Sequence, residues 1–239
     1  GELSFRRYRR YATGGYGLIW MEATAVLFEA RSNPSQLWLH DGSLARFREL
    51  VSATRAAAEE TFGPGHRPLL ILQLTHSGRY SKPHGIAAPI IAHHSKVLDP
   101  LHRLGPDYPL VTDEYLDRLQ DTFVHAARLA REAGVDGVDI KSCHRYLFAE
   151  LYASFERKDS RYGGSFENRT RIVREIMQRI RDEVPGIFAT TRMNVYDAIP
   201  HPWGWGVDRD DFMKADLSEP LRLIEEFRRI GVPVLNCSI

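Results

Sequence analysis

Apolar positions along this chain follow two alternating rhythms. Segments in which they recur every three to four residues are separated by short runs that are apolar almost throughout. The first rhythm predicts amphipathic helices and the second predicts buried strands. Helices are expected over residues 3–15, 41–63, 112–134, 165–184 and 218–231, and strands over 16–26, 67–79, 135–140, 186–195 and 232–238. The helix over 112–134 is the clearest: Leu116, Leu119, Phe123, Ala126, Ala127 and Ala130 share a face, Thr112 caps its start and Gly134 ends it. In the next, Ser165 is the cap and Ile172, Ile176, Ile180 and Val184 form the stripe. Over 41–63, Leu44, Phe47, Leu50, Val51 and Thr54 take the apolar face, with Asp41 or Ser43 as N-cap.

Five strands separated by helices imply βαβ units and a parallel sheet covered by helices. Two architectures meet that description. A doubly wound nucleotide fold is disfavoured, because neither G-x-G-x-x-G nor a Walker A sequence follows the first strand. A (β/α)8 TIM barrel places its chemistry at the C-terminal ends of strands. Polar residues gather there in every case: Glu22 and Thr24, Gln73 and His76, Lys141 and His144, Arg192 and Asn194, Asn236 and Ser238. The expected fold is therefore α/β, a TIM barrel incomplete as given, with residues 1–239 forming one partial domain. The connections 77–111 and 195–217 exceed what a crossover needs, and their prolines and aromatics predict ordered loops over a pocket. Trp203 and Trp205 in the second are expected to cover that pocket or a partner surface.

Composition changes this picture little. Lys and Arg total 32 against 31 acidic residues, which gives no electrostatic reason to expect nucleic acid or an anionic membrane. No apolar run reaches the roughly 20 residues of a membrane span. The two cysteines, Cys143 and Cys237, form no disulfide framework and no C-x-x-C pair, so a cytoplasmic setting is the expectation and Cys143 reads as a packing residue. His93, His94 and His201 form no H-x-H or H-E-x-x-H, and no metal site is expected. The chain opens on Gly1 and stops on a strand, which suggests part of a longer protein.

The segment 134–169 sharpens the reading. "GVDGVDIKSCHRYLFAELYASF" followed by "RYGGSFENR" resembles the G-x-D-G-V-x-I-H-x-A-H-G-Y-L…Y-G-G-S-x-x-N-R pattern of the old yellow enzyme family. "YGLIWMEATAV" (16–26) is similar to that family's second strand, and "ILQLTHSGR" (71–79) to its third, Q-L-x-H-x-G-R. "TTRMN" (190–194) falls where the fifth strand carries an arginine. The resemblance implies that the five strands are the second to sixth of an FMN-binding barrel. It further implies an enzyme in which NAD(P)H reduces FMN and the flavin reduces an activated C=C bond of a small molecule. Amine-oxidising or demethylating relatives, and a flavin-free barrel with a binding role, are the alternatives. Formation of a homo-oligomer is left open.

Site roles follow from the resemblance residue by residue. Tyr146 matches the tyrosine that gives a proton to the substrate α-carbon; without the family it reads as an amphipathic tyrosine at a helix start. His144 matches the second histidine of the family pair that hydrogen-bonds the acceptor's oxygen. Lys141 stands at the first position of that pair, where the family has His or Asn, and so departs from the pattern. Gln73 matches the glutamine at the flavin's pyrimidine edge, Arg192 the arginine near flavin N1, and Ala23 a small residue beside the ring. "RYGGSFENR" reads as structural, with Ser160 in place of the family's usual aspartate.

Overall fold

The computed structural model describes residues 1–239. Helix α1 (Glu2–Thr13) leads into strand β1 (Leu18–Ala25), then α2 (Leu44–Phe62), β2 (Leu69–Thr75), the short α3 (Leu98–His102) and α4 (Asp113–Ala133). Strand β3 (Gly137–Ile140) follows, then a short α5 (Leu147–Tyr152), α6 (Phe166–Glu183), β4 (Phe188–Asn194), α7 (Ser218–Ile230) and β5 (Leu235–Ser238).

All five strands are parallel and lie in the order β1-β2-β3-β4-β5. Each new strand is added to the same edge, so the order never reverses as it does in a doubly wound sheet. This is the winding of a barrel, and the five strands make an arc of one.

Register fixes which side chains share a face. Ile71 pairs with Gly137 and Gln73 with Asp139; Gly137 and Asp139 pair in turn with Phe188 and Thr190. Trp20 pairs with Ile71, and Arg192 with Asn236. The opposite face carries Ile19, Met21, Leu70, Leu72, Leu74, Val138, Ile140, Ala189 and Met193, all buried in the main apolar core. There they meet α4 and α6, which pack against each other and against β3 and β4. Burial contributes roughly 1.5–3 kcal/mol per large apolar side chain, so this layer supplies the main drive for folding. The helix-free face is left to polar residues near the strand ends.

Helix starts agree with the sequence at two points and differ at one. Thr112 Oγ1 accepts from Tyr115 N–H at 3.1 Å, and Ser165 Oγ from Asn168 N–H at 3.3 Å. Neither Asp41 nor Ser43 caps α2: those residues form a 3-10 turn, and the Ser43 hydroxyl is spent backwards on Trp38 and His40 carbonyls.

The long loops are ordered by buried ions. Arg79, wholly enclosed, donates to both Glu150 and Asp99 and to the His93 carbonyl. Burial raises the Glu150 pKa, and the Arg79 guanidinium against it pulls the carboxyl back toward its charged form. Arg157 binds the Ala92 and Val111 carbonyls at 2.9 and 2.7 Å and Asp113 at 2.8 Å, tying 77–111 to the start of α4. Ser160 and the Arg161 N–H also donate to Asp113, so that residue supplies a carboxylate beside Ser160.

Trp205 corrects an expectation. It is fully buried, 5.1 Å from the Tyr152 ring and under the Arg169 guanidinium, with Nε1 donating to the Asn194 carbonyl. It pins the 195–217 loop to the core instead of covering a pocket. Trp203 remains at the surface, with Lys96 over its ring.

Candidate active site

The C-terminal end of β3 organises the site. Asp139 is fully buried and accepts three hydrogen bonds: from Trp20 Nε1 at 2.7 Å, from Gln73 Nε2, and from the Arg192 backbone N–H at 2.7 Å. One carboxylate thus ties β1, β2 and β4 to β3 at a single level. Burial raises its pKa to about 6 even though all three donors pull the other way. Asp139 is a site residue that sequence pattern alone does not single out. The available signal was a carboxylate in a four-residue apolar strand, two positions from Lys141 and so on the same face.

Gln73 and Arg192, both expected at the cofactor, are brought together by this carboxylate. Gln73 gives Nε2 to Asp139, and its Oε1 receives no hydrogen bond from the protein. Arg192 makes one long contact, to Ser238 Oγ at 3.4 Å, and its Nε is buried with no partner. A buried guanidinium N–H without an acceptor is costly. The ring edge of FMN offers both acceptors, which Arg192 Nε can serve, and an N–H donor, which the free Gln73 Oε1 can accept, so these residues fit that cofactor. Ala23 stands at a register irregularity between Met21 and Thr24, where its carbonyl takes a hydrogen bond from Gln36 at 3.0 Å. The flanking pairs Met21–Leu72 and Thr24–Leu74 place it on β1 alongside Gln73 of β2.

Lys141 and Tyr146 form the second group. The Lys141 ammonium lies 3.8 Å from the Tyr146 ring centroid, and Tyr80 stands 5.8 Å away from the same ring. Lys141 has no carboxylate within salt-bridge distance, and burial lowers its pKa. Tyr146 caps the start of α5 in an extended conformation, so the helix start holds its backbone while Lys141 and Tyr80 hold its ring. That segment can lie close because Gly78, at φ +57°, leaves room for it: a Cβ there would sit 2.6 Å from Leu147 N.

His144 is placed differently. Its side chain is exposed on the rim, and its backbone and that of Arg145 are both left-handed, at φ 60° and 57°. Such geometry in two consecutive non-glycine residues costs of order 1 kcal/mol each and persists only where the surroundings hold it. Asn194 does the holding: its Oδ1 accepts from His144 N–H at 3.1 Å and its Nδ2 donates to Asp197 at 2.7 Å. Partial burial lowers the His144 pKa, and the cations Lys141, Arg192 and Arg145 add to this, favouring a neutral imidazole. Cys143 is enclosed, and burial pushes its thiol up to about 12, which rules out a thiolate nucleophile at neutral pH. His76 is buried and neutral, accepting from Gly78 N–H and pairing with Tyr115 at 2.8 Å; it is a structural residue.

"RYGGSFENR" is structural, as expected. A Cβ on Gly163 would fall 2.3 Å from the Arg157 carbonyl, and Arg169 is buried on the Gly164 and Tyr152 carbonyls and on Glu219.

The model of the NADH:flavin oxidoreductase / NADH oxidase family matches residues 2–207. An NADPH dehydrogenase of Halalkalibacterium halodurans is 33% identical over 235 residues, which span 97% of this chain and 60% of that protein. An N,N-dimethylglycine/sarcosine dehydrogenase of Chromohalobacter salexigens is 27% identical over 194 residues, 77% of this chain and 26% of that one. The chain thus spans 60% or less of the length of these two relatives. Among solved structures, TcOYE with pHBA superposes with TM-score 0.75 at 19% identity, over 100% of this chain and 67% of that one. A 2-naphthoyl-CoA reductase complex gives TM-score 0.74 at 22% identity, over 99% and 34%. These structural matches establish the fold, an arc of the old yellow enzyme TIM barrel. The family match, and the NADPH dehydrogenase relative over nearly the whole chain, establish the rest: the chain belongs to the NADH:flavin oxidoreductase / NADH oxidase family.

Proposed function

We propose that this chain provides the flavin-ring and substrate side of an FMN-dependent enzyme that uses NAD(P)H to reduce an activated C=C bond. The observation that carries the reading is the adjacency of two groups at the end of β3. Arg192 and Gln73, with unmet hydrogen-bonding capacity, lie on Asp139; Tyr146, a phenol fixed by Lys141, lies at the same strand end. Bound at this end of the barrel, FMN, the family's cofactor, would supply hydride chemistry driven by NAD(P)H. Gln73 and Arg192 hold the ring edge. His144, neutral and on the rim, donates a hydrogen bond to the acceptor's oxygen and draws charge onto it. Tyr146 gives its proton to the α-carbon and regains one from water.

Tyr146→Phe in the FMN-loaded full-length protein tests this. Flavin reduction by NADPH keeps its rate, while turnover of a cyclic enone falls by about 10²–10⁴-fold, the range for loss of a general acid. Unchanged enone turnover would remove Tyr146 from the reaction.

A second reading is oxidation of an amine, the activity named for the Chromohalobacter relative. Lys141, where the pattern has a neutral donor, favours it only for amines that carry an anionic group, since a fixed ammonium repels a purely cationic substrate.

A further inference from the structure

We propose that Lys141 binds a carboxylate carried by the substrate, so that the reducible C=C bond is that of an α,β-unsaturated carboxylate. This rests on the reductase reading above and names the substrate class of the same site.

The Lys141 charge has no ion-pair partner in the protein. Lys141 is 6% exposed, yet its ammonium makes no hydrogen bond within the protein and lies over the Tyr146 ring. It is not among the polar atoms sealed away without partners, so the ammonium is not closed off from solvent. The charged and titratable groups around it are Asp139, Arg192, Cys143, His144, Arg145 and Tyr146. Cys143 is held neutral, and Asp139 is the one acid of the set. Both Asp139 oxygens are already engaged, Oδ1 by Arg192 N–H and Oδ2 by Trp20 and Gln73. Lys141 therefore feels Asp139 only at a distance, forms no ion pair, and has the cation Arg192 as a neighbour. A nearly buried, unpaired ammonium is expensive, and a bound anion removes the expense.

The reaction gives the cation a specific use. Hydride added to the carbon β to a ketone leaves one negative charge on oxygen, which neutral donors can stabilise. Hydride added β to a carboxylate leaves two, and a full positive charge then does what an imidazole or amide cannot. The stoichiometry closes: NAD(P)H, a proton and R–CH=CH–COO⁻ give NAD(P)⁺ and R–CH₂–CH₂–COO⁻, with the α-proton delivered by Tyr146 and replaced from water.

The test uses the FMN-loaded full-length protein with cinnamate, its methyl ester and the saturated 3-phenylpropionate. Binding is measured by calorimetry and reduction by NADPH consumption under nitrogen, in wild type, Lys141→Met and Lys141→Arg. Wild type is expected to bind both carboxylates at least tenfold more tightly than the ester. Lys141→Met removes that preference, leaves ester binding within twofold and raises the melting temperature, because an unpaired buried charge is gone. Lys141→Arg keeps the preference in part. Equal affinity for acid and ester in wild type would overturn the proposal. So would a Lys141→Met variant that loses both equally, since Lys141 would then only position Tyr146. Lys141-dependent binding of 3-phenylpropionate without reduction of cinnamate or its ester upholds the carboxylate site and sinks the reductase reading. Reduction of the ester without any acid preference does the reverse.

Discussion

Asp139→Asn separates the two effects of the buried carboxylate. In the folded chain its pKa rises from 3.8 to about 6, which corresponds to a penalty of about 3 kcal/mol on the charged form. Because the folded value lies above the unfolded one, the penalty is absent below about pH 4, grows between 4 and 6, and is fully present above 6. Asparagine abolishes it. Asparagine also replaces Oδ2 by an amide, leaving the Trp20 N–H, now bonded at 2.7 Å, without its acceptor, at a cost of about 1–3 kcal/mol. Gln73 can recover by turning its amide over. The sum predicts a variant equal to wild type or up to about 2 kcal/mol more stable at pH 7, and about 1–3 kcal/mol less stable at pH 4. The overturned Gln73 then presents an NH₂ group where its oxygen had been free. FMN affinity should fall about tenfold, roughly 1.4 kcal/mol. Urea unfolding at the two pH values and a spectroscopic FMN titration read both effects. A variant less stable than wild type by 3 kcal/mol or more at pH 7, with a difference that ignores pH, would refute the desolvation reasoning.

Two further perturbations probe the scaffold. Gly78→Ala drives a Cβ into the Leu147 backbone in a left-handed conformation, and should cost roughly 2–4 kcal/mol in thermal melts while lowering turnover through displaced Tyr146. Glu150→Gln leaves the enclosed Arg79 with Asp99 as its only carboxylate partner; a loss of about 3–5 kcal/mol in urea unfolding is expected, against little change if the ion network is dispensable.

Much of this fold is written in local pattern. α4 and α6 declared themselves through apolar stripes and caps that the structure keeps, because amphipathic period and capping chemistry are local. The barrel itself was legible because polar residues collect at one end of every strand. Features settled by distant partners were not legible. Trp205 became a core residue because Tyr152 and Arg169, far away in sequence, enclose it. Ser43 lost its cap role to His40 and the Trp38 carbonyl. Asp139 was missed because its three donors come from three other strands, and only register brings them level. Of the residues named from the sequence, Gln73 and the Arg192 backbone share Asp139 and Lys141 meets Tyr146, whereas the His144 backbone is tied to Asn194.

The central claim is that this end of the barrel holds a working flavin. The direct measurement is the visible spectrum of the purified full-length protein with FMN, before and after NADPH is added without oxygen. A protein-bound flavin band that bleaches on addition, and bleaches less completely in Arg192→Ala, is the result the account predicts. A protein that takes up no FMN, or whose bound flavin stays oxidised, would contradict it.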